Sequence, residues 1–243
     1  MLRSLNILSC LLTVLFFSDF SSAQTPPPVN DTAPAHRYRW DSVAEIAFEH
    51  HATTLGLPQE IVTSLAQDDD GFFWIGTQGG LARWDGYHFR HYLHQAKDLG
   101  SVPDPFISVL FLDHRKQLWV GTNAGGLARY DKKNDRFIQI PIGKNGLNHS
   151  SVISIAADGN KGLWIATLGG LNHYNLDTGH FTYFTHDAKD STSLPSNFVT
   201  SALLDQAGNL WVGTDLGLVK REAGSTRFLA VPLSIDNPQV HHI

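Results

Sequence analysis

Phe73-Trp74-Ile75-Gly76-Thr77 decides the fold, because it returns as Leu118-Trp119-Val120-Gly121-Thr122, Leu163-Trp164-Ile165-Ala166-Thr167 and Leu210-Trp211-Val212-Gly213-Thr214. The four Trp stand 45, 45 and 47 residues apart. Six residues before each is an Asp (Asp68, Asp113, Asp158, Asp205), and shortly after each Thr comes Gly-Leu, from Gly80-Leu81 to Gly217-Leu218. Chance does not align so many positions, so the chain is an array of one unit.

Within the first unit, Ile61 to Gln67 opens with β-branched and apolar residues, Asp68-Asp69-Asp70-Gly71 is turn material, and Phe72 to Thr77 makes a second strand. Gln78-Gly79-Gly80 offers glycines for positive φ, Leu81 to Trp84 is a third strand, and Asp85-Gly86 turns into a fourth at Phe89 to Leu93. A four-stranded sheet of this size cannot keep both faces dry alone, so its neighbours must stack on it. That period with an aromatic and Gly-Thr signature reads as propeller blades. The expectation is an all-β β-propeller with four four-stranded antiparallel blades. The recurring Trp74, Trp119, Trp164 and Trp211 should fill the wedge between blades, with the small Gly two positions on letting the neighbour approach. The recurring Asp68, Asp113, Asp158 and Asp205 should cap turns by accepting backbone N–H bonds.

Composition agrees and excludes alternatives. Of 243 residues 42% are hydrophobic and 17% charged, too apolar for a disordered chain. The formal charge of -5 gives no basic field for a phosphate backbone, so nucleic acid is not an expected partner. Met1-Leu2-Arg3, the apolar run Leu5 to Phe17 and Ser21-Ser22-Ala23 read as a signal peptide over 1–23, cleaved after Ala23, with an uncleaved anchor as the alternative. The apolar residues continue well past Cys10, which argues against a lipoprotein box there. Export to the periplasm follows. Removal of 1–23 would take the single Cys with it, leaving a mature chain without disulfide or thiol chemistry. Residues 24–43 form a Pro-rich lead-in, and 44–243 the propeller part. Its blades are expected at about 57–101, 102–146, 147–193 and 194–236, with the start of a fifth repeat at 237–243.

The pattern from Val62 to Asp85, with Asp68, Gly71, Trp74-Ile75-Gly76-Thr77, Gly79-Gly80-Leu81 and Arg83-Trp84-Asp85, resembles the two-component-regulator propeller repeat. The likeness recurs at Leu127-Ala128-Arg129-Tyr130-Asp131 and Leu171-Asn172-His173-Tyr174-Asn175 and covers about residues 44 to 243. Departures are Ala166 for Gly, Lys116 and Lys161 at turn-Gly positions, and Lys220-Arg221-Glu222 for Arg-Tyr-Asp. The resemblance implies the exported sensor region of a hybrid histidine kinase or a propeller-linked diguanylate cyclase. It also implies seven blades per ring and an output enzyme in missing downstream sequence. The full protein would be dimeric and anchored in the inner membrane. Phe48-Glu49-His50-His51 aligns with the last strand of each repeat, a spare N-terminal strand that would close such a ring. Pro238 to Ile243 matches the opening of a repeat, so the chain reads as truncated, and its open blade faces predict poor solubility or aggregation.

Catalytic and metal signals are weak. His88, His91 and His94 alternate faces on a strand, no His-Glu-x-x-His spacing occurs, and no Gly-x-Ser-x-Gly elbow is present. No metal, cofactor or catalytic residue is assigned. Propeller ligands meet loops at one end of the channel, and the repeats differ there at Gln78, Asn123 and Asp215, after each Thr, and at Asp104, Asn148 and Asn197, between blades. These six are the candidate ligand-binding residues, for a small molecule, a glycan or another protein. The alternative is an exported propeller lyase or glycosidase acting on polysaccharide, which would need paired carboxylates converging on the channel.

Overall fold

The computed structural model describes residues 56–233 and 239–240. The signal segment, the lead-in and the spare strand at 48–51 lie outside the described residues, as does most of 237–243. No described residue is helical. The first sheet consists of β1 (Val62–Gln67), β2 (Phe73–Thr77), β3 (Gly80–Trp84) and β4 (Phe89–Tyr92). The second holds β5 (Ile107–Leu112), β6 (Leu118–Thr122), β7 (Leu127–Asp131) and β8 (Arg136–Gln139). The third is β9 (Val152–Asp158), β10 (Gly162–Thr167), β11 (Gly170–Asn175) and β12 (Phe181–Phe184). The fourth contains β13 (Val199–Leu204), β14 (Leu210–Thr214), β15 (Gly217–Arg221) and β16 (Leu229–Ala230). In each sheet, strands adjacent in sequence are adjacent in space and antiparallel. These are four propeller-type meanders, as the repeat implied.

Three apolar cores lie between successive sheets. Trp74 and Leu81 of blade 1 pack with Ile107, Leu110, Val120 and Tyr130 of blade 2. Trp119 and Leu127 meet Val152, Ile155 and Ile165 of blade 3, and Trp164 and Leu171 meet Val199, Val212 and Phe228 of blade 4. Each of these three Trp is therefore covered by the next blade. The covering side chain is Tyr130 over Trp74 (ring centroids 4.7 Å apart), Tyr174 over Trp119 (5.7 Å), and Arg221, whose Cζ lies 4.7 Å from the Trp164 ring. Trp211 is only half-buried. At the other end of the array, Val62 is 44% and Leu65 64% exposed, whereas their counterparts Ile107 and Leu110 are 0% and 6%.

Close approach depends on the glycine after each Trp. A Cβ on Gly76 would stand 2.8 Å from Ile107 Cγ2, and one on Gly121 2.7 Å from Val152 Cγ1. A bulge at the start of each first strand adds a latch, since an extra residue re-aims its side chain. The bulged Thr63 and Ser108 donate their hydroxyls to Ile107 O and Val152 O of the next blade, both at 2.6 Å, and Thr200 donates to Val240 O. In blade 3 the bulged position is Ile153, which has no hydroxyl to give. At the first interface Tyr92 and Tyr130 both donate to Asp135 Oδ1, at 2.7 and 2.6 Å, and Arg90 pairs with the same carboxylate. Burial opposes ionisation of Asp135, but the two tyrosine hydrogen bonds outweigh it and hold its pKa low.

The repeated Asp does more than cap a turn. Asp68 Oδ1 accepts Asp70 and Phe72 N–H while Oδ2 accepts the Trp74 indole N–H at 2.8 Å. Asp113 does the same for Arg115, Gln117 and Trp119, and Asp205 for Asn209 and Trp211. Asp158 departs from the expected cap: its carboxylate pairs with His173 Nε2 at 2.8 Å, and Trp164 Nε1 has no acceptor. The cause is local. Gly71, Lys116 and Gly208, three residues after their Asp, take positive φ, but in blade 3 Gly159 does so instead. The ladder then extends to Gly162↔Asp158, drawing Asp158 into the strand. Gly162 leaves room for His173, since a Cβ there would lie 2.7 Å from His173 Nε2.

One pH prediction arises here. The Trp211 indole N–H, followed by the Asn209 side-chain amide, lowers the Asp205 pKa from 3.8 to about 2. A carboxylate depressed in the folded state stabilises it above the unfolded pKa and loses that effect as pH falls through the folded one. Stability should therefore drop between about pH 4 and pH 2, and Asp205→Asn should remove that part of the drop. A Trp211 Nε1–H resonance that does not titrate across this window in the NMR spectrum would refute the assignment.

Candidate functional site

The register places all six candidate residues at one end of the blades. Val62 pairs with Thr77, Ile107 with Thr122, Val152 with Thr167 and Val199 with Thr214. The loop leaving each second strand thus lies beside the segment entering each first strand. The invariant Thr builds this end. Its hydroxyl donates to the glycine carbonyl across the turn: Thr77 to Gly80, Thr122 to Gly126 and Thr167 to Gly170 at 2.8 Å, and Thr214 to Gly217 at 2.9 Å. The same oxygens accept N–H from Gly79, Gly125, Gly169 and Leu216. All four Thr are fully buried. A buried hydroxyl that both donates and accepts locks the turn, and the residue after it is held on a rigid base.

That residue is Gln78, Asn123, Leu168 or Asp215. Gln78 and Asn123 are exposed, and their backbone N–H groups bond to Ile61 O and Phe106 O of the adjoining segments. Asp215 is half-buried, and its Oδ1 has no hydrogen-bond partner among the described residues. The apolar Leu168 and Leu216, 41% and 63% exposed, stand at the same end. Exposed amides, a half-buried carboxylate and leucines thus stand together on locked turns at this end. They bring no nucleophile beside a base.

The three inter-blade candidates differ from these. Asp104 Oδ1 accepts Phe106 N–H at 2.9 Å, holding its own turn. Asn197 Oδ1 accepts His186 N–H at 2.7 Å and is exposed. Asn148 is consumed internally: its amide donates to Gly169 O at 2.7 Å, and its oxygen accepts from Thr167 and Asn172 at 3.0 and 2.8 Å. No hydrogen bond joins any two of the six. His88, His91 and His94 engage separate partners: Asp85, Gly56 O and Val102 O. Among the described residues no group of three His, Cys, Asp or Glu could hold a metal ion. The sequence reading missed the Thr, whose identity in every repeat was the available signal.

Blades of this topology, with loops locked at one end, define a β-propeller fold. The two-component regulator propeller model matches residues 56–79, 146–169 and 193–215. Three segments of the chain are thus similar to the two-component regulator propeller repeat. The second blade lies outside those matches and carries an additional residue in the turn that Thr122 closes. The chain is 37% identical to Histidine kinase P4 of Formosa agariphila over an alignment that covers 54% of this chain. Among solved structures, it superposes on two extracellular domains assigned to hybrid two-component systems of B. thetaiotaomicron. One is 24% identical at a TM-score of 0.68, covering 78% of this chain and 27% of that one. The other is 30% identical at 0.57, covering 68% and 22%. The chain spans 14% of the length of the kinase it matches.

Proposed function

We propose that this chain is the sensory propeller module of an exported bacterial signal-transduction protein, with the locked loop end as its recognition surface. The observation that carries this reading is its 30% identity, at a shared fold, to an extracellular domain of a hybrid two-component system. The kinase relative supports it from sequence. In this reading residues 1–23 direct export to the periplasm. The full-length protein is dimeric and anchored in the inner membrane, and binding of a small molecule, glycan or protein is relayed to a cytoplasmic histidine kinase or diguanylate cyclase. Relay requires the ligand to differ in affinity between two states of the assembly. The polysaccharide-enzyme alternative finds less support, because the recurring carboxylates are engaged by indole N–H groups, turn N–H groups and His173.

Export is tested by fusing alkaline phosphatase after Leu233. Activity is expected with residues 1–23 present and should vanish without them; equal activity from both fusions refutes export. Recognition is tested by replacing Gln78, Asn123 and Asp215 together with Ala and screening both proteins against glycans and small molecules by thermal shift. The triple variant should keep the unliganded melting temperature within a few degrees and lose the ligand-induced rise, which for the parent should grow as RT ln(1 + [L]/Kd). Undiminished stabilisation of the variant removes these residues from the site.

A further inference from the structure

The third and fourth blades meet differently from the others, and the differences converge on one cleft. It lies at the opposite end of the blades from the loops described above, beside the Asp158↔Gly162 end of β9 and β10. Its volume is about 430 Å³, and Asp158, Trp164, His173, Phe184, Leu204 and Arg221 line it. At the first two interfaces the indole N–H of Trp74 or Trp119 is satisfied by Asp68 or Asp113, and a tyrosine covers the ring. Here the indole N–H of Trp164, a residue 3% exposed, has no acceptor. A guanidinium replaces the tyrosine. Arg221 Cζ stands 4.7, 5.1 and 5.8 Å from the ring centroids of Trp164, Phe184 and Phe228, and it has no ion pair with any described carboxylate. Burial holds the Arg221 pKa below its usual value, and Asp158 is the opposing charge.

Both unmatched groups are pure donors, and one carries a charge. A buried donor left without an acceptor is costly, and a guanidinium offers a planar fork that a carboxylate matches with two parallel hydrogen bonds. We propose that the cleft between the third and fourth blades binds a small organic carboxylate, held by Arg221 and the Trp164 indole N–H with its apolar part against Phe184 and Leu204. The cleft volume falls in the range of small-molecule sites, which favours a free acid over a protein surface. Asp158 is the like charge in the cleft, with one oxygen already on His173, so a monoanion is preferred to a dianion such as phosphate. This site does not depend on the signalling role proposed above.

The test follows the indole proton by ¹H–¹⁵N NMR on the 243-residue chain, with the Trp164 resonance assigned by its loss in Trp164→Phe. Titration with propionate or benzoate should move that resonance saturably, while propionamide and sodium chloride at equal ionic strength should not. Arg221→Tyr restores the residue type found at Tyr130 and Tyr174, preserves ring packing and removes the charge; it should weaken binding tenfold or more. Phosphate should move the resonance less than propionate. The proposal is overturned by no movement up to about 50 mM propionate, far beyond a millimolar Kd, by an equal response to propionamide, chloride or phosphate, or by undiminished binding to folded Arg221→Tyr. If that variant does not fold, the comparison of propionate with propionamide on the parent decides alone. A response to a Glu-containing peptide at concentrations where propionate is silent would assign the site to a protein partner and overturn the small-acid reading.

Discussion

Trp119→Ala is expected to lower stability by about 3–5 kcal/mol, the range for removing a large buried aromatic, whereas Trp211→Ala should cost about 1–2 kcal/mol because a half-buried ring loses less on truncation. Both residues have the same immediate neighbours in the chain, Leu-Trp-Val-Gly-Thr. Their environments differ. Trp119 is 2% exposed, packs in one cluster with Leu147, Ile155 and Ile165 of the next blade, and has Tyr174 edge-on at 5.7 Å. Its indole N–H bonds to Asp113 Oδ2 at 2.9 Å, so truncation also leaves one oxygen of a 3% exposed carboxylate residue without its donor. Trp211 has Lys220 Nζ at 5.4 Å over its ring and no such cluster among the described residues. In an array where each unit is stabilised by its neighbours, losing a central interface should loosen both sides of it. Urea titration of the two variants should separate their midpoints, and hydrogen exchange should quicken from β5 to β12 in Trp119→Ala. Equal midpoints would show that the blades do not depend on the stacked indoles.

The strands were legible because every repeat marks its own turns with Asp, Gly or Asn. The Asp–Trp hydrogen bond was less so. Its spacing of six was visible, but an Asp ending one strand and a Trp in the middle of the next meet only once the hairpin register is set. The latches from Thr63, Ser108 and Thr200 were hidden for a similar reason, since a bulge shows only in the strand register. Blade 3 is the most instructive case. Ala166, Lys161 and Arg221 were visible as separate departures from the repeat, each weakening a turn or a strand end. That Arg221 lies beside Trp164, His173 and Asp158 in one cleft is a tertiary fact. At the loop end, composition could say that Asn148 is polar and variable. It could not say that Thr167, Gly169 and Asn172 already use its amide.

Gly121→Ala should destabilise by about 1–3 kcal/mol, the cost of overpacking a filled core, although alanine suits a strand better than glycine does. The added methyl would lie 2.6 Å from Val109 Cγ1 within its own blade and 2.7 Å from Val152 Cγ1 in the next, so one of them must move. Val152 has the less room: it is 1% exposed and its carbonyl holds the Ser108 hydroxyl at 2.6 Å, whereas Val109 is only partly buried. Blade 3 provides the natural control. Ala166 occupies the equivalent position with 0% exposure, packed in one cluster with Val199, at the interface where Ile153 forms no hydroxyl latch. There a methyl is already part of the packing, so Ala166→Gly should cost about 1 kcal/mol, from backbone freedom and the lost contact. If steric conflict is the cause at Gly121, removing the opposing methyls should relieve it. Gly121→Ala with Val152→Ala should then be more stable than the sum of the single variants predicts, by about 0.5–3 kcal/mol of coupling in a double-mutant cycle. Strict additivity in urea titrations would mean that the strain is taken up inside blade 2, against Val109, and that the interface between blades is softer than its geometry implies.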